Sequence, residues 1–139
     1  MDRYEEQEER IFKVFDEDEI PSVELKSLEV YLIFLRDNIE MPCELTGIED
    51  FNWEEFYIIG PGDKKEYEKL KKNRPSYSDK YDLLSFGEFD EDYGIFVNLK
   101  RISDDKIFSL PLADLKSTEK KSKNYQILDD YSVWFVNNM

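Results

Sequence analysis

Histidine is absent from this chain of 139 residues, and cysteine occurs once. Without an imidazole there is no histidine general base, no histidine-assisted serine or cysteine nucleophile and no histidine ligand for haem. Without a second thiol there is no intrachain disulfide and no zinc or iron–sulfur site built on cysteines. Cys43 follows Pro42 among apolar residues, a setting that favours a small buried hydrophobe, and Glu40 and Glu44 nearby are expected to raise its pKa and keep it quiet. The longest apolar run, Val30 to Leu35, is far too short to span a bilayer, and no basic start leads into an apolar segment. A soluble, cytoplasmic protein is therefore expected. Glycine and proline are scarce, five of each, and no linker rich in them divides the chain, so one domain over 1–139 is expected.

Basic residues are also in deficit, 19 against 33 acidic, for a formal charge of −14. Nucleic acid backbones and anionic membrane surfaces should repel such a chain, whereas cations and basic protein surfaces should be attracted. An aromatic content of 15% argues that it folds despite this charge.

The densest pattern is at the C-terminal end. Ile127, Leu128, Tyr131, Trp134 and Phe135 form one helical stripe, with Ser122 placed as its N-cap. A strand over Tyr131 to Val136 is the alternative, from its aromatic and β-branched content. Either way Trp134 and Phe135 read as core.

Met1 to Glu19 holds nine acidic and three basic residues around Ile11, Phe12, Val14 and Phe15; a docked helix and a frayed acidic tail over 1–20 fit this pattern equally. Ser22 is a good N-cap for a helix from Val23 to about Asn38 that buries Leu25, Leu28, Tyr31, Leu32, Leu35 and Ile39. Glu40 to Glu55 carries six acidic residues and no basic one. Within it Met41 to Thr46 reads as an edge strand, because Pro42 cannot donate to a ladder. Phe56 to Ile59 is a short apolar run closed by the turn Gly60-Pro61-Gly62, which lacks the spacing of a phosphate loop. Asp63 to Lys80 inverts the charge with seven basic residues against four acidic, and Lys64 to Asn73 reads as a short helix with Tyr67 and Leu70 inward. Three strands follow, Tyr81 to Phe89, Tyr93 to Arg101 and Lys106 to Leu112, joined as two hairpins; Lys116 to Lys123 is a polar connector. The fold class is α+β, a small antiparallel sheet, open or partly closed like an SH3 barrel, packed with a helix from the N-terminal half and a C-terminal helix.

Candidate chemistry lies with oxygen ligands. In Glu88-Phe-Asp-Glu-Asp-Tyr-Gly94, positions 88, 90 and 92 are carboxylates and Gly94 permits a bend, an arrangement suited to calcium. It is not an EF-hand: a loop started at Asp90 meets Gly94 at the third ligand position and Arg101 at the closing one. Glu49 and Asp50 lie in the other acidic stretch and complete a site if their loop folds against the hairpin. Asp129 and Asp130 read as a hydrogen bond to a nearby loop and a solvent-facing charge, and Asp114 as a turn or cap residue.

Asn124-Tyr-Gln-Ile-Leu-Asp-Asp-Tyr-Ser-Val-Trp-Phe135, preceded by Leu110-Pro-Leu-Ala-Asp-Leu115, resembles the closing signature of the small acidic calcium-binding proteins of the cyanobacterial CcbP type. The likeness extends more loosely through Tyr93-Gly94-Ile95 to the helix near Ser27. This chain has Ser122-Lys123-Asn124 where members often read Ser-Pro-Asn, and its Glu49 to Lys80 segment is longer than in the short members. The resemblance implies calcium as the bound ion, with Asp90 and Glu91 matching an acidic pair followed by Tyr-Gly. The metal candidates are therefore Asp90, Glu91, Asp92, Glu88, Glu49 and Asp50, in a monomeric calcium buffer or sensor that is not an enzyme. The alternative is a metal-independent acidic protein, of the immunity or inhibitor type, that docks a basic partner.

Overall fold

A computed structural model describes residues 2–139. The helices are α1 (Arg3–Phe15), α2 (Leu25–Asn38), α3 (Glu55–Ile58), α4 (Lys64–Leu70) and α5 (Lys123–Asn138). The strands are β1 (Glu44–Gly47), β2 (Tyr81–Asp90), β3 (Gly94–Arg101), β4 (Ile107–Pro111) and β5 (Leu115–Ser117), all antiparallel in the order β4-β3-β2-β1-β5. Both ends of that order are free, so the sheet is open and the partly closed barrel is not formed. No helix among the described residues is long and apolar enough to cross a membrane.

The closing segment is helical over its whole length, and Ser122 Oγ caps it by accepting from the Tyr125 N–H at 3.1 Å. Its stripe, Ile127, Leu128, Tyr131, Trp134 and Phe135, is buried against α2 and the sheet. The strand alternative fails because the stripe has a period of 3.6, which only a helix turns to one side.

Helix α2 begins two residues later than Ser22 predicts. The Glu24 N–H donates to Ser27 Oγ at 2.9 Å, and that hydroxyl donates to the Ser22 carbonyl at 2.7 Å, so Ser22 contributes its backbone rather than its side chain. Leu25, expected in the core, is 54% exposed, whereas Leu28, Tyr31, Leu32, Leu35 and Ile39 are buried. Helix α1 is docked through Ile11 and Phe15, which join the same core. Arg10 locks it: its Nε and Nη2 donate to the buried Asp130 carboxylate at 2.8 and 2.9 Å, and Gln7 Nε2 reaches both Asp129 and Asp130 at 3.0 Å. Asp129 is exposed, as a solvent-facing charge should be, but the hydrogen-bond partners lie on a helix rather than a loop and Asp130 faces inward, which corrects the rest of the expectation.

Strand β1 is not an edge. It pairs with β2 on one side and β5 on the other, and Pro42 precedes it, leaving every N–H of Glu44–Gly47 free to bond. The connector after Leu115 likewise starts as β5, a fifth strand three residues long and too short to show a pattern of its own.

Cys43 is buried and its thiol is pushed up to about 11, first by burial and then by Glu119, against a lowering hydrogen bond from Asn124. Glu119, distant in sequence, replaces the neighbours Glu40 and Glu44 as the acidic influence. A thiol reagent at pH 8 is expected to label Cys43 only as fast as the protein opens. Rapid stoichiometric labelling of the folded protein would show that the site is accessible.

Candidate acidic groove

Local bonds place the hairpin tip. Asp90 closes β2 and its Oδ1 accepts the Tyr93 N–H at 2.7 Å, a side-chain turn that bends the chain through Glu91 and Asp92. Gly94 has φ of +74°, and a Cβ there would sit 2.5 Å from Tyr131 Oη and 2.8 Å from the Phe135 ring. Glycine is thus required both for the backbone turn and for the approach of β3 to α5. The Ile95 N–H then donates to Tyr131 Oη at 2.8 Å and fastens the hairpin to the helix.

The second acidic stretch is held from both sides. The Ile48 N–H donates to the Asp114 carbonyl at 2.9 Å, and Phe51 is buried. Beyond it Glu54 is fully buried, and among the described residues no cation pairs with it. Its carboxylate accepts from Tyr67 Oη at 2.5 Å, Ser76 Oγ at 2.8 Å and the Tyr77 and Phe51 N–H groups at 2.8 and 3.4 Å. Four donors replace the water that this carboxylate gives up. Of the four donors only the Phe51 N–H is local; the other three come from α4 and the 76–77 turn, which the neighbouring sequence does not show. Opposite, a 3-10 turn at Leu112–Asp114 is tied to α5 by Ser132 Oγ donating to the Ala113 carbonyl at 3.1 Å.

Between these elements lies a groove. A cavity of about 430 Å³ is lined by Glu49, Asp50 and Glu55 from the loop and α3, Asp114 from the 3-10 turn and Asp129 from α5, over a floor that includes Phe51, Val133 and Phe135. A second cavity of about 350 Å³ shares Phe51, Asn52, Ala113, Asp114 and Phe135 with it and adds Asp92 and Tyr93 from the hairpin tip. Among the described residues no lysine or arginine lines either cavity. Asp114, at the junction, has its pKa raised by desolvation and by the charge of Glu49, so its ionised form is held at a cost.

The six nominated carboxylates therefore divide. Glu49 and Asp50 line one end of the groove and Asp92 the other; Asp90 spends one oxygen on the Tyr93 amide; Glu88 and Glu91 line neither cavity. Among the described residues, no three acidic side chains close on a common point at which a metal ion is already enclosed. Asp114, expected as a turn or cap residue, ends the 3-10 turn and in addition lines both cavities; it lies in Leu110 to Leu115, one of the two stretches on which the CcbP resemblance rests.

Comparison with protein-family models and with curated proteins returns no match. Among solved structures, the crystal structure of Anabaena CcbP is similar over 99% of this chain and 94% of its own, with 16% sequence identity and a TM-score of 0.56. The chain thus has a CcbP-like fold, carried on a sequence that differs at most positions.

Proposed function

We propose that this chain binds calcium in the acidic groove, as a buffer or sensor of low to moderate affinity. One observation carries the reading: carboxylates from the 49–50 loop, α3, the 3-10 turn, α5 and the hairpin tip line two adjoining cavities that share Asp114, and among the described residues no basic side chain lines either. Their mutual repulsion is relieved by a divalent cation, and hard oxygen ligands from flexible side chains suit calcium better than the small octahedral shell of magnesium. The wording of the C-terminal segment and the CcbP-like fold support the same ion. Loop sites short of a full EF-hand ligand set fall in the weaker part of the range, roughly 10⁻⁶ to 10⁻³ M.

Calorimetric titration at about 0.15 M salt, where diffuse attraction to the net charge is screened, tests this. Saturable calcium binding is expected in the parent, weakened roughly tenfold or more in Asp92→Asn with Asp114→Asn. The hairpin pair Asp90→Asn with Glu91→Gln separates groove from tip: a larger loss there than in the groove pair moves the site to the turn. Protons compete for the same oxygens. Asp114 has a folded-state pKa above its unfolded value, so ionising it as pH rises works against the fold, and calcium binding near its pKa releases a proton. Affinity should therefore fall as pH drops toward the carboxylate range. Asp114→Asn should stabilise the calcium-free protein at pH 7 by no more than about 0.5 kcal/mol, since the group is partly solvated.

The open spacing of the carboxylates, with no preformed cage among the described residues, favours a second reading, a metal-independent acidic protein that docks a basic partner. Absence of saturable binding at millimolar calcium selects it.

A further inference from the structure

The two adjoining cavities have features that calcium does not use. At about 430 and 350 Å³ they fall in the roughly 300–1,000 Å³ range of molecular ligand sites. A calcium ion gathers its oxygens at about 2.3–2.6 Å and fills a small part of such a space. Much of the lining is apolar. Phe51 and Phe135 belong to both cavities, and Ile48, Val133 and Val136 line the first, with Ile48 43% and Val136 66% exposed. The carboxylates among them are uncommitted to cations: among the described residues, Glu49, Asp50, Glu55, Asp92, Asp114 and Asp129 form no ion pair. In the second cavity Asp92 is followed by Tyr93, which is 54% exposed and lines the same space. A carboxylate beside an open ring suits a guanidinium, which pairs with the one and stacks on the other.

We propose that the two cavities together bind a segment of a partner protein that carries arginine beside large apolar side chains, with the apolar groups in the first cavity and a guanidinium at Asp92 and Tyr93. The inference rests on the docking reading given above and names the partner's chemistry. It does not require calcium, because the apolar lining offers that ion no ligand. Charge complementarity selects the occupant. A wholly apolar segment would strip water from unpaired carboxylates without replacing its hydrogen bonds, whereas a wholly cationic one would leave the apolar lining wet. Arginine meets both demands in one side chain, since its stem packs on apolar surface while its fork of donors meets carboxylates. A second copy of this chain brings its own charge of −14 and is repelled.

Fluorescence anisotropy in a calcium chelator at about 0.15 M salt tests the site, with a labelled synthetic peptide built on the repeat Arg-Leu-Ser as probe. Saturable binding to the parent is expected. Replacing leucine by serine in the probe should weaken binding roughly tenfold, and replacing arginine by lysine severalfold. In the protein, Glu49→Gln with Asp92→Asn should weaken binding about tenfold. Glu17→Gln with Glu19→Gln removes the same charge from the exposed α1–α2 connection and should change it by less than about twofold. Ile48→Ser with Val136→Ser should weaken the leucine-containing probes alone. Equal binding of the Arg-Leu-Ser and leucine-free probes, or equal losses in the two charge pairs, overturns the inference and leaves only diffuse attraction of a basic partner. No saturable binding of any probe overturns the docking reading with it, while calcium titration of the same protein reports separately on the ion.

Discussion

Trp134→Ala should cost about 3–5 kcal/mol of stability, the range of large aromatic truncations in cores. The indole is fully buried where three helices meet, with ring centroids 5.2 Å from Phe15 of α1, 5.0 Å from Tyr31 of α2 and 6.1 Å from Tyr131 of its own helix. Its Nε1–H donates to the Pro21 carbonyl at 3.1 Å, so truncation opens a cavity and strands an acceptor in the α1–α2 connection. Trp134→Phe keeps most of the volume and loses the bond, for about 1–2 kcal/mol. Denaturant titration reads both; a loss below about 1 kcal/mol for the alanine variant would mean that the three helices pack without the indole.

Arg101→Met should cost about 3 kcal/mol, by a different mechanism. Arg101 ends β3 and is 3% exposed. Its Nη1 donates to the carbonyls of Lys71 and Arg74 and to Asp79, its Nη2 to the Lys72 carbonyl and Asp104, and its Nε to Asp104, all between 2.7 and 3.0 Å. Those carbonyls lie at and just beyond the C-terminal end of α4, where helical acceptors have no partners of their own and a cation is favoured. Helix α4 has only seven residues and cannot persist alone, so removing the guanidinium should free it and the 71–74 turn. Arg101→Lys restores the charge but not the fork of donors and should recover about half of the loss. Amide exchange across 64–74 reads the effect directly; protection unchanged in the methionine variant would show that α4 rests on Glu54 alone. The ion pair also sets an acid limit. Arg101 holds Asp104 down to about 2, so the stability from this pairing is complete above the ordinary carboxylate range and is lost as pH falls through about 2.

What could be read in the sequence was what depends on near neighbours. The Ser122 cap and the stripe from Ile127 to Phe135 are decided within a few turns of one helix, and the β2–β3 hairpin by the Asp90 to Gly94 turn. Leu25 misleads because an apolar residue near a helix start looks inward by spacing alone, while the cap bonds of Ser22 and Ser27 set where the helix begins. Strand β1 misleads because both of its partners lie outside its neighbourhood and Pro42 pointed to an edge. The groove is of the same kind. Each acidic stretch is visible in the chain, but that Glu49 and Asp92 line adjoining cavities with Asp114 between them depends on Gly94 letting β3 close on Tyr131 and on a backbone bond from Ile48 to Asp114. Glu54, the one acidic residue without exposure, is hidden for that reason too.

The interior position of β1, between β2 and β5, has a consequence for synthesis. Leu45 pairs with Tyr81 on one side and with Ser117 on the other. As the chain leaves the ribosome, β1 gains its first neighbour only with β2 and then shows an open flank until β5 arrives, about 70 residues after β1 itself. At roughly 5–20 residues per second that flank stays bare for seconds, long against the microseconds in which a hairpin forms. The half-made sheet is then the species most exposed to pairing with another nascent chain, and a ribosome stall between the codons for Asp90 and Leu115 would lengthen its life.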